Sequence, residues 1–335
     1  MPDNTRIGVL GAGSWGTALA CHLTGNGHDV KLWGRDATQI ATLQRERVNA
    51  RYLPDTRIPD SLQCESDFSA CVANTDALLV ATPSGAFAQT LNNIVDSGAD
   101  QTPVIWACKG LEKGSGRQLE PVAREILGDD LPLAVISGPT FAKELMQGLP
   151  TAITVASRDT VFAERVARWL HSETFRAYSS DDVVGVETGG ALKNVLAIAA
   201  GISDGLGFGA NARAALITRG LAELMRLGVA MGGRAETFMG LAGMGDLVLT
   251  CTDNLSRNRR MGLALARGLS VSDAQEEIGQ AVEGVGTARE AVRLAEQFNV
   301  EMPIAEQVFA VLYEGKLPRN AVRDLLGRGQ RAESR

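Results

Sequence analysis

The sequence predicts an α/β N-terminal Rossmann-like domain followed by an all-α C-terminal domain. Three observations support this prediction: a short apolar strand runs into a glycine-rich turn and a helix, further strand–helix units follow, and the pattern is helical almost throughout from residue 181 onward. The first domain is expected to hold a mostly parallel, doubly wound sheet with added strands. We expect a dinucleotide-binding domain at 1–184, a helical substrate-binding and catalytic domain at 185–330, and a frayed tail at 331–335.

The first strand and turn supply the signature of a dinucleotide site. A strand at residues 5–10 leads into GAGSWG, and a helix is expected at 17–24. In this setting Gly11 permits the tight turn, Gly13 lets a pyrophosphate approach the backbone, and Gly16 allows close packing of helix on strand. The free N–H groups at the start of the helix then face the phosphates. A chance glycine-rich turn is the less favoured alternative.

The second predicted strand, residues 29–33, bears on the choice of cofactor. It is followed by Gly34, Arg35 and Asp36, at the point where an NAD-specific site would carry an acidic residue for the ribose. Arginine there suits a 2′-phosphate instead, although the neighbouring Asp36 keeps the question open and Arg35 could simply be exposed. The sequence favours NADP(H), with NAD(H) as an accepted alternative.

Further strands are expected at 77–81, 103–108, 133–137, 151–156 and 174–178. In open α/β sheets the ligand lies outside the carboxyl ends of the strands. Thr82, Lys109 and the turn at 138–142 fall there, so a cofactor and a substrate could meet at this edge. For Lys109 alone, a surface lysine that closes a strand is an equal alternative.

A helix expected at 189–211 carries the most unusual lysine of the chain. Apolar residues form a broad stripe at the helical period, whereas Lys193 lies off this stripe, on a side with Ala197, Gly201 and Asp204. Small neighbours would leave room for a ligand to approach the lysine closely. A solvated lysine on an amphipathic helix is the ordinary alternative. N-cap candidates for this helix lie at 179–182.

The remaining helices are expected at 211–231, 256–267, 272–278, 287–298, 304–314 and 318–326. Asp246 ends a tight turn, with Thr250 one helical turn beyond it, and it could also be a plain N-cap. A basic cluster at 253–260 lies at an expected helix start, where serine, arginine and asparagine can bind a phosphate together with backbone N–H groups. Glu283, in a polar loop at 280–284, could hydrogen-bond a cofactor or be exposed.

Composition limits the partners. The 335 residues are 45% hydrophobic and 21% charged, enough for two domain cores, and the net charge of −6 disfavours nucleic acid or an anionic membrane as main partner. No apolar run reaches the roughly 20 residues that span a bilayer, and the N-terminus lacks a signal-peptide pattern. Five cysteines without C-x-x-C spacing and only three histidines give no zinc cluster. We expect a cytoplasmic protein that needs no metal and does not insert into membranes.

Several stretches resemble the bacterial NAD(P)-dependent glycerol-3-phosphate dehydrogenases over essentially the whole chain. They are GAGSWGTALA from Gly11, WACKGLEKGSG from Trp106, ISGPTFAKE from Ile136, GALKNVLAIAAGISDGLGFGANARAALITRG from Gly190, GLAGMGDLVLTCTDNLSRNRR from Gly240, and VEG from Val282. The stretch from Gly190 to Asn211 is close to diagnostic for the family. After Glu283 the chain reads GVGTARE, where many relatives have a bulkier and more polar stretch.

The resemblance implies reversible reduction of dihydroxyacetone phosphate to sn-glycerol 3-phosphate by hydride from NAD(P)H, which supplies glycerophospholipid synthesis. It implies that Lys193 is the general acid/base at the C2 oxygen, with Asp246 beside it. The implied substrate residues are Lys109, Gly138, Thr140, Lys193, Asn194, Asp246, Ser256, Arg257 and Asn258, with Arg257 and Asn258 on the phosphate. The implied cofactor residues are Gly11, Gly13, Ser14, Trp15, Gly16, Arg35, Lys109, Ala142, Arg257, Ala281 and Glu283.

Two alternatives stay open at this point. A dehydrogenase of another small hydroxy acid or sugar-acid phosphate would have the same two-domain layout, and the basic cluster at 253–260 favours a substrate that bears a phosphate. The other is a non-catalytic sensor that binds NADP(H) to report redox state. The expected partner is a small phosphorylated substrate, and a homodimer stays open.

Overall fold

The first half of the chain forms a sheet flanked by helices in a computed structural model that describes residues 4–329. The strands in this part of the chain are β1 (Arg6–Leu10), β2 (Asp29–Trp33), β3 (Val48–Asn49), β4 (Leu53–Arg57), β5 (Gln63–Glu65), β6 (Ala77–Val80), β7 (Val104–Trp106), β8 (Leu133–Ser137), β9 (Thr151–Ala156) and β10 (Phe175–Ser180). The helices of this half are α1 (Ser14–Gly25), α2 (Ala37–Glu46), α3 (Phe68–Val72), α4 (Phe87–Asp96), α5 (Leu119–Leu127), α6 (Ala142–Met146) and α7 (Thr160–Leu170).

The large sheet has eight strands in the order β10-β9-β8-β7-β6-β1-β2-β5. All of its neighbouring pairs are parallel except β8 and β9, which are antiparallel. From β1 the chain builds outward through β2 and β5, then returns to β6 on the other side of β1 and continues the opposite way. The crevice of the sheet therefore lies between the carboxyl ends of β1 and β6, where doubly wound sheets bind their ligands.

Two apolar cores cover the two faces of this sheet. This explains why the predicted strands read as continuous apolar runs, since both faces of a parallel sheet are buried. The predicted fold class is confirmed. The β3–β4 hairpin and the short edge strand β5 were not predicted, because neither carries such a run.

The second half is helical. Its helices are α8 (Val183–Gly205), α9 (Gly209–Ala230), α10 (Ala235–Met239), α11 (Asp246–Thr252), α12 (Arg257–Ala266), α13 (Val271–Ile278), α14 (Glu283–Gln297), α15 (Pro303–Tyr313) and α16 (Pro318–Leu326), and a π-helical turn at Leu241–Gly245 leads into α11. The helix expected at 189–211 instead begins at Val183 and ends at Gly205. Its start is set by Asp182, whose Oδ1 accepts a hydrogen bond from the Gly185 N–H at 2.8 Å. It ends at a turn with Gly207 at φ 82° and Gly209 at φ 80°.

The small residues of α8 allow another helix to pack closely, whereas they were expected to leave room for a ligand beside Lys193. A Cβ added at Gly201 would lie 2.1 Å from the Arg259 carbonyl oxygen, and one added at Gly262 would lie 2.1 Å from the Ile198 carbonyl oxygen. The glycines therefore let α8 and α12 pack backbone against backbone. Almost every residue from Val183 to Ser203 is buried, Lys193 included, so the ordinary alternative of a solvated lysine on an amphipathic helix is wrong.

By length and composition, α8 could cross a membrane, and among residues 4–329 it is the one helix that meets this test. The expectation that no apolar run reaches such a length is therefore wrong. Because 94% of the apolar window is buried inside the protein, its apolar side chains are accounted for by packing against the other helices and the sheet.

Two expectations are not decided by these elements. The domain boundary at residue 184 stays a prediction, and it falls one residue inside α8, which begins at Val183. The expected frayed tail at 331–335 lies outside the described residues.

Candidate active site

The site is centred on Asp246, the first residue of α11, which is fully buried between two lysines. Its Oδ1 accepts a hydrogen bond from Lys193 Nζ, and its Oδ2 accepts one from Lys109 Nζ at 2.9 Å. Thr250, one turn later on α11, accepts a hydrogen bond from Lys193 Nζ at 2.9 Å and lies 3.3 Å from Asp246 Oδ1. A single carboxylate therefore joins a lysine from the helical half to a lysine from the segment after β7.

Lys193 is buried near the middle of α8, with 6% of its surface exposed. Burial lowers its pKa to about 8, an effect that the positive charge of Lys109 adds to and that the negative charges of Asp246 and Glu283 oppose. Protein groups occupy two of its three N–H directions. The ammonium is thus oriented by Asp246 and Thr250, keeps a third donor for a ligand, and can exchange a proton near neutral pH.

Lys109 is oriented more completely. Its Nζ donates to the Gly138 carbonyl oxygen at 2.7 Å, to Thr140 Oγ1 at 3.3 Å and to Asp246 Oδ2 at 2.9 Å. These three acceptors match the three N–H groups of an ammonium. A direct contact between Lys109 and a ligand would therefore replace one of these bonds, of which the one to Thr140 is the longest. Gly138 has φ 155°, and an added Cβ would lie 3.0 Å from Ile153 Cα, so only glycine fits at this turn.

A chain of two side-chain amides connects the elements around the lysines. Asn194 Nδ2 donates to the Lys109 carbonyl oxygen at 2.9 Å, and Asn258 Nδ2 donates to Asn194 Oδ1 at 2.8 Å. Asn258 Oδ1 in turn accepts the Gly284 N–H at 2.9 Å. The two amides thus tie the segment after β7, α8, α12 and the start of α14 together, and each keeps capacity for a further partner.

The basic cluster at 253–260 divides into structural and free groups. Ser256 is the N-cap of α12, and its Oγ accepts the Arg259 N–H at 3.2 Å. Arg259 is buried and pairs with Asp204 at the end of α8, so it is a structural residue of the helical core. Arg257, the first residue of α12, is exposed. The N-terminus of α12 therefore offers an exposed guanidinium and helix N–H groups beside Asn258, as an anion site requires.

The glycine-rich turn has the shape of a phosphate cradle. Gly11 has φ 126°, and a Cβ there would lie 2.8 Å from the Ala81 backbone, while a Cβ at Gly16 would lie 1.9 Å from the Gly11 oxygen. An added Cβ at Gly13 would meet no atom of residues 4–329 within 4 Å, so this glycine faces open space in the part of the chain that the structure describes. Gly13 is also the N-cap of α1 and no side chain caps that helix. The residues present fit a dinucleotide pyrophosphate.

Asp36 and Arg35 have separate roles at the end of β2. Asp36 is the N-cap of α2, and its Oδ1 accepts the N–H groups of Thr38 and Gln39 at 3.0 and 3.1 Å. Arg35 is exposed beside it. The Asp36 carboxylate, which left the choice between NAD(H) and NADP(H) open, is thus hydrogen-bonded to the N-terminus of α2.

The other predicted cofactor residues lie on neighbouring elements at the same edge. Glu283 begins α14 and accepts the Ser84 N–H, from the turn after β6, at 3.4 Å; burial raises its pKa, and the positive charge of Arg257 offsets part of this. Ala142 begins α6, which packs on α1, and Ala281 is exposed just before α14. Ser14 and Trp15 open α1, and the buried Trp15 Nε1 has no hydrogen-bond partner among the described residues.

Within residues 4–329, no group of three or more His, Cys, Asp or Glu side chains is arranged to hold a metal ion. The absence of a metal requirement stays a prediction.

Sequence reasoning missed two partners of the site. Thr250 was noted for its spacing from Asp246 but given no role, although a residue four positions on faces the same side of a helix and could have been expected to reach Lys193. The contact between Ser84 and Glu283 joins residues 199 positions apart, and no local pattern indicates it.

Two family models match the chain. NAD-dependent glycerol-3-phosphate dehydrogenase N-terminus matches residues 6–163, and NAD-dependent glycerol-3-phosphate dehydrogenase C-terminus matches residues 182–323. The glycerol-3-phosphate dehydrogenases (NAD(P)+) of Shigella boydii serotype 18 and Escherichia coli strain K12 are each 56% identical to it over 331 residues, which is 98% of this chain and 98% of each relative.

Solved structures agree with this similarity. A glycerol-3-phosphate dehydrogenase from Coxiella burnetii superposes with a TM-score of 0.93 at 47% identity, covering 97% of this chain and 99% of that one. A ketopantoate reductase family structure from Ralstonia eutropha, at 16% identity and a TM-score of 0.58 over 95% of this chain and 99% of that one, is similar in fold alone.

Proposed function

The chain belongs to the NAD-dependent glycerol-3-phosphate dehydrogenase family and has NAD(P)-dependent glycerol-3-phosphate dehydrogenase activity, and from this premise we propose that Lys193 is its general acid/base. The observation that carries the proposal is the Lys193 ammonium, oriented by Asp246 and Thr250 and left with one free donor. The alternative activities, on other hydroxy acids or sugar-acid phosphates or as a sensor, are set aside because the similarity covers the full chain.

The bound nicotinamide supplies hydride to, or accepts it from, the C2 carbon of the substrate. In the direction of reduction, negative charge develops on the C2 oxygen of dihydroxyacetone phosphate. The third N–H of Lys193 donates to this oxygen, stabilises the charge and transfers its proton as the C2 hydroxyl forms. In the reverse direction, neutral Lys193 removes that proton. Asp246 and Thr250 hold the nitrogen in place in both directions.

The pKa of Lys193 sets the pH range of each direction. Reduction needs the ammonium, so its rate is highest below the lowered pKa of about 8 and falls as the pH rises through it. Oxidation needs the neutral amine, so its rate rises with pH through the same value. An unperturbed lysine, with a pKa of about 10.4, would serve as a base only at much higher pH.

The substrate phosphate is assigned to the N-terminus of α12. Arg257 would supply an exposed guanidinium, Asn258 an amide, and the first turn of the helix its N–H groups. Ser256 and Asn194 border this position, because Ser256 caps α12 and Asn194 is bonded to Asn258. Gly138, Thr140 and Lys109, which are joined by hydrogen bonds, would border the substrate from the first half of the chain. This arrangement supports dihydroxyacetone phosphate as the small phosphorylated substrate.

Activity should depend on the phosphate through Arg257. Replacing dihydroxyacetone phosphate by dihydroxyacetone should lower kcat/KM at least about 100-fold, since a site built for hydrogen bonds discriminates strongly against the analogue that lacks them. Arg257→Ala should lower kcat/KM about 10- to 100-fold with the phosphorylated substrate and much less with dihydroxyacetone. NADPH oxidation followed spectrophotometrically measures all four values, with Arg260→Ala, on the same helix, as control. Equal activity on both substrates would overturn the assignment.

For the cofactor, we propose a preference for NADP(H) over NAD(H) through Arg35, which would pair with the 2′-phosphate while Asp36 caps α2. Arg35→Ala should raise KM for NADPH about 10- to 100-fold and leave KM for NADH nearly unchanged, because the charge-assisted contact exists only with the phosphate. Arg45→Ala, an exposed arginine on α2, is the control. Equal changes in KM for NADPH and for NADH would show that Arg35 does not bind the 2′-phosphate.

We further propose that the product supplies glycerophospholipid synthesis in the cytoplasm. The family activity supports this, since glycerol 3-phosphate is the backbone of those lipids. The acidic net charge of −6 supports a role without nucleic acid or membrane insertion. A homodimer stays an open assembly state.

A further inference from the structure

The segment that carries Lys109, residues 107–118 between β7 and α5, belongs to the first half of the chain but packs against the second. We call it the Lys109 segment. Leu111 is part of the helical core. Near its end, Gln118 Nε2 donates to the Val184 carbonyl oxygen and to Thr188 Oγ1, both at 2.9 Å and both on α8. The segment has no helix or strand of its own, so its shape depends on such contacts.

The tip of the Lys109 segment is held by α14. The Gly114 N–H donates to Glu290 Oε1 at 3.1 Å, and Arg293 Nη1 donates to the Gly114 carbonyl oxygen. Arg293 also pairs with Glu290 Oε2 at 3.2 Å. Glu290 is 4% exposed, and a Cβ added at Gly116 would lie 3.2 Å from its Oε2. Both backbone groups of Gly114, which has φ 92°, are therefore bound by one carboxylate–guanidinium pair.

The same helix also contacts the cofactor side of the site. Its first residue, Glu283, accepts the Ser84 N–H, and the next, Gly284, donates to Asn258. Glu290 lies two turns further along this helix, and a helix of 15 residues is a rigid spacer between these contacts. Thus α14 fixes the distance between the turn after β6 and the Lys109 segment.

We propose that Glu290 and Arg293 are positioning residues that act through Gly114 to hold Lys109 at its place beside Asp246. This inference rests on the proposed function, in which Lys109 borders the substrate. Lys109 Nζ is fixed by three acceptors, and a displacement of about 1 Å in such a group can cost up to about 100-fold in rate. No residue of the pair needs to touch the substrate.

A double-mutant cycle between Glu290 and Lys109 tests the inference. Glu290→Ala should lower kcat/KM for dihydroxyacetone phosphate about tenfold in the wild type. In the Lys109→Met background it should change kcat/KM less than about twofold, because the group it positions is gone. Glu290→Gln keeps the acceptor for Gly114 and should lie between. Glu296→Ala, an exposed carboxylate on α14, should match the wild type. If Glu290→Ala fails to fold, Arg293→Ala can replace it in the same double-mutant cycle with Lys109→Met, because the Arg293 side chain is half-exposed.

A second readout separates positioning from general loosening. The positive charge of Lys109 helps to lower the pKa of Lys193, whose other charged neighbours are Asp246 on α11 and Glu283 on α14. Glu290→Ala should therefore move the midpoint of the kcat–pH profile upward, as should Lys109→Met. An equal loss of kcat/KM in the wild-type and Lys109→Met backgrounds would overturn this inference but leave the proposed function intact. An unmoved midpoint of the kcat–pH profile in Glu290→Ala would do the same. A Lys109→Met variant with wild-type kcat/KM would overturn the role proposed for Lys109, and this inference with it.

Discussion

Lys193→Ala should lower kcat for the reduction of dihydroxyacetone phosphate by about 1000-fold or more. The substitution removes both the proton donor and the positive charge aimed at the C2 oxygen, and each such effect is typically about 100-fold or larger. The glycine-rich turn and Arg35 lie on other elements, so the dissociation constant for NADPH, measured by its fluorescence, should stay within about twofold of the wild type.

Two controls accompany Lys193→Ala. Lys193 is buried, so thermal unfolding must show that the variant is folded before its kcat is interpreted. Lys193→Met fills the space of the lysine stem without its charge and should lose as much activity as the alanine variant, which separates the lost ammonium from a cavity. Turnover close to that of the wild type in either variant would show that another group acts as the acid.

Asp246→Asn should have the second largest effect, on both stability and activity. The fully buried carboxylate forms ion pairs with two lysines, and removing one partner of a buried ion pair typically costs about 3–5 kcal/mol. Without this negative charge the pKa of Lys193 should fall further below about 8, leaving less ammonium at neutral pH and lowering kcat for reduction.

The lowered pKa of Lys193 also makes the free energy of unfolding depend on pH. With a depressed pKa in the folded state, Lys193 binds its proton more tightly in the unfolded chain, so the free energy of unfolding rises with pH between the depressed value and about 10.4. Urea unfolding at several pH values should show a rise that begins at lower pH and is larger in total in Asp246→Asn than in the wild type. Asp55→Asn removes an exposed carboxylate from a surface lysine and should change stability by no more than about 1 kcal/mol. A similar small change in Asp246→Asn would contradict the central role of this carboxylate.

The fold could be predicted from the sequence because its signals are local. Gly11, Gly13 and Gly16 fix the turn between β1 and α1, and the buried strands read as apolar runs. The strand order that opens the crevice between β1 and β6 also follows from the doubly wound pattern. The hairpin of β3 and β4 escaped prediction because its exposed residues lack an apolar period.

The small-residue side of α8 shows what a local pattern cannot decide. Glycines along a helix permit close approach, but the sequence does not say of what, and here they admit the backbone of α12 at Gly201. Lys193 lies further toward the N-terminus, where the partner is the side chain of Asp246. Asp246 is 53 positions from Lys193 in the sequence, so no local pattern around Lys193 identifies it as the partner.

The basic cluster at 253–260, which includes the first turn of α12, shows that the sequence also does not decide which charged residues are exposed. Arg257 and Arg259 are equivalent in the sequence, yet Arg259 is buried against Asp204 and only Arg257 is exposed. Helical geometry separates residues two positions apart by about 200°, so one can face the core while the other faces outward. The role of Lys193 itself came from resemblance to the family, and the spacing of residues alone left a solvated lysine as the ordinary alternative.

The most direct test of the account is the single-turnover rate of hydride transfer from NADPH to dihydroxyacetone phosphate, measured against pH in the wild type and in Lys193→Ala. With Lys193 as the proton donor, the wild-type rate should be level below about pH 8 and should fall about tenfold per pH unit above it. The rate of Lys193→Ala should be low and should lack this falling limb. A Lys193→Ala profile that keeps the same decline near pH 8 would contradict the assignment of Lys193 as the proton donor.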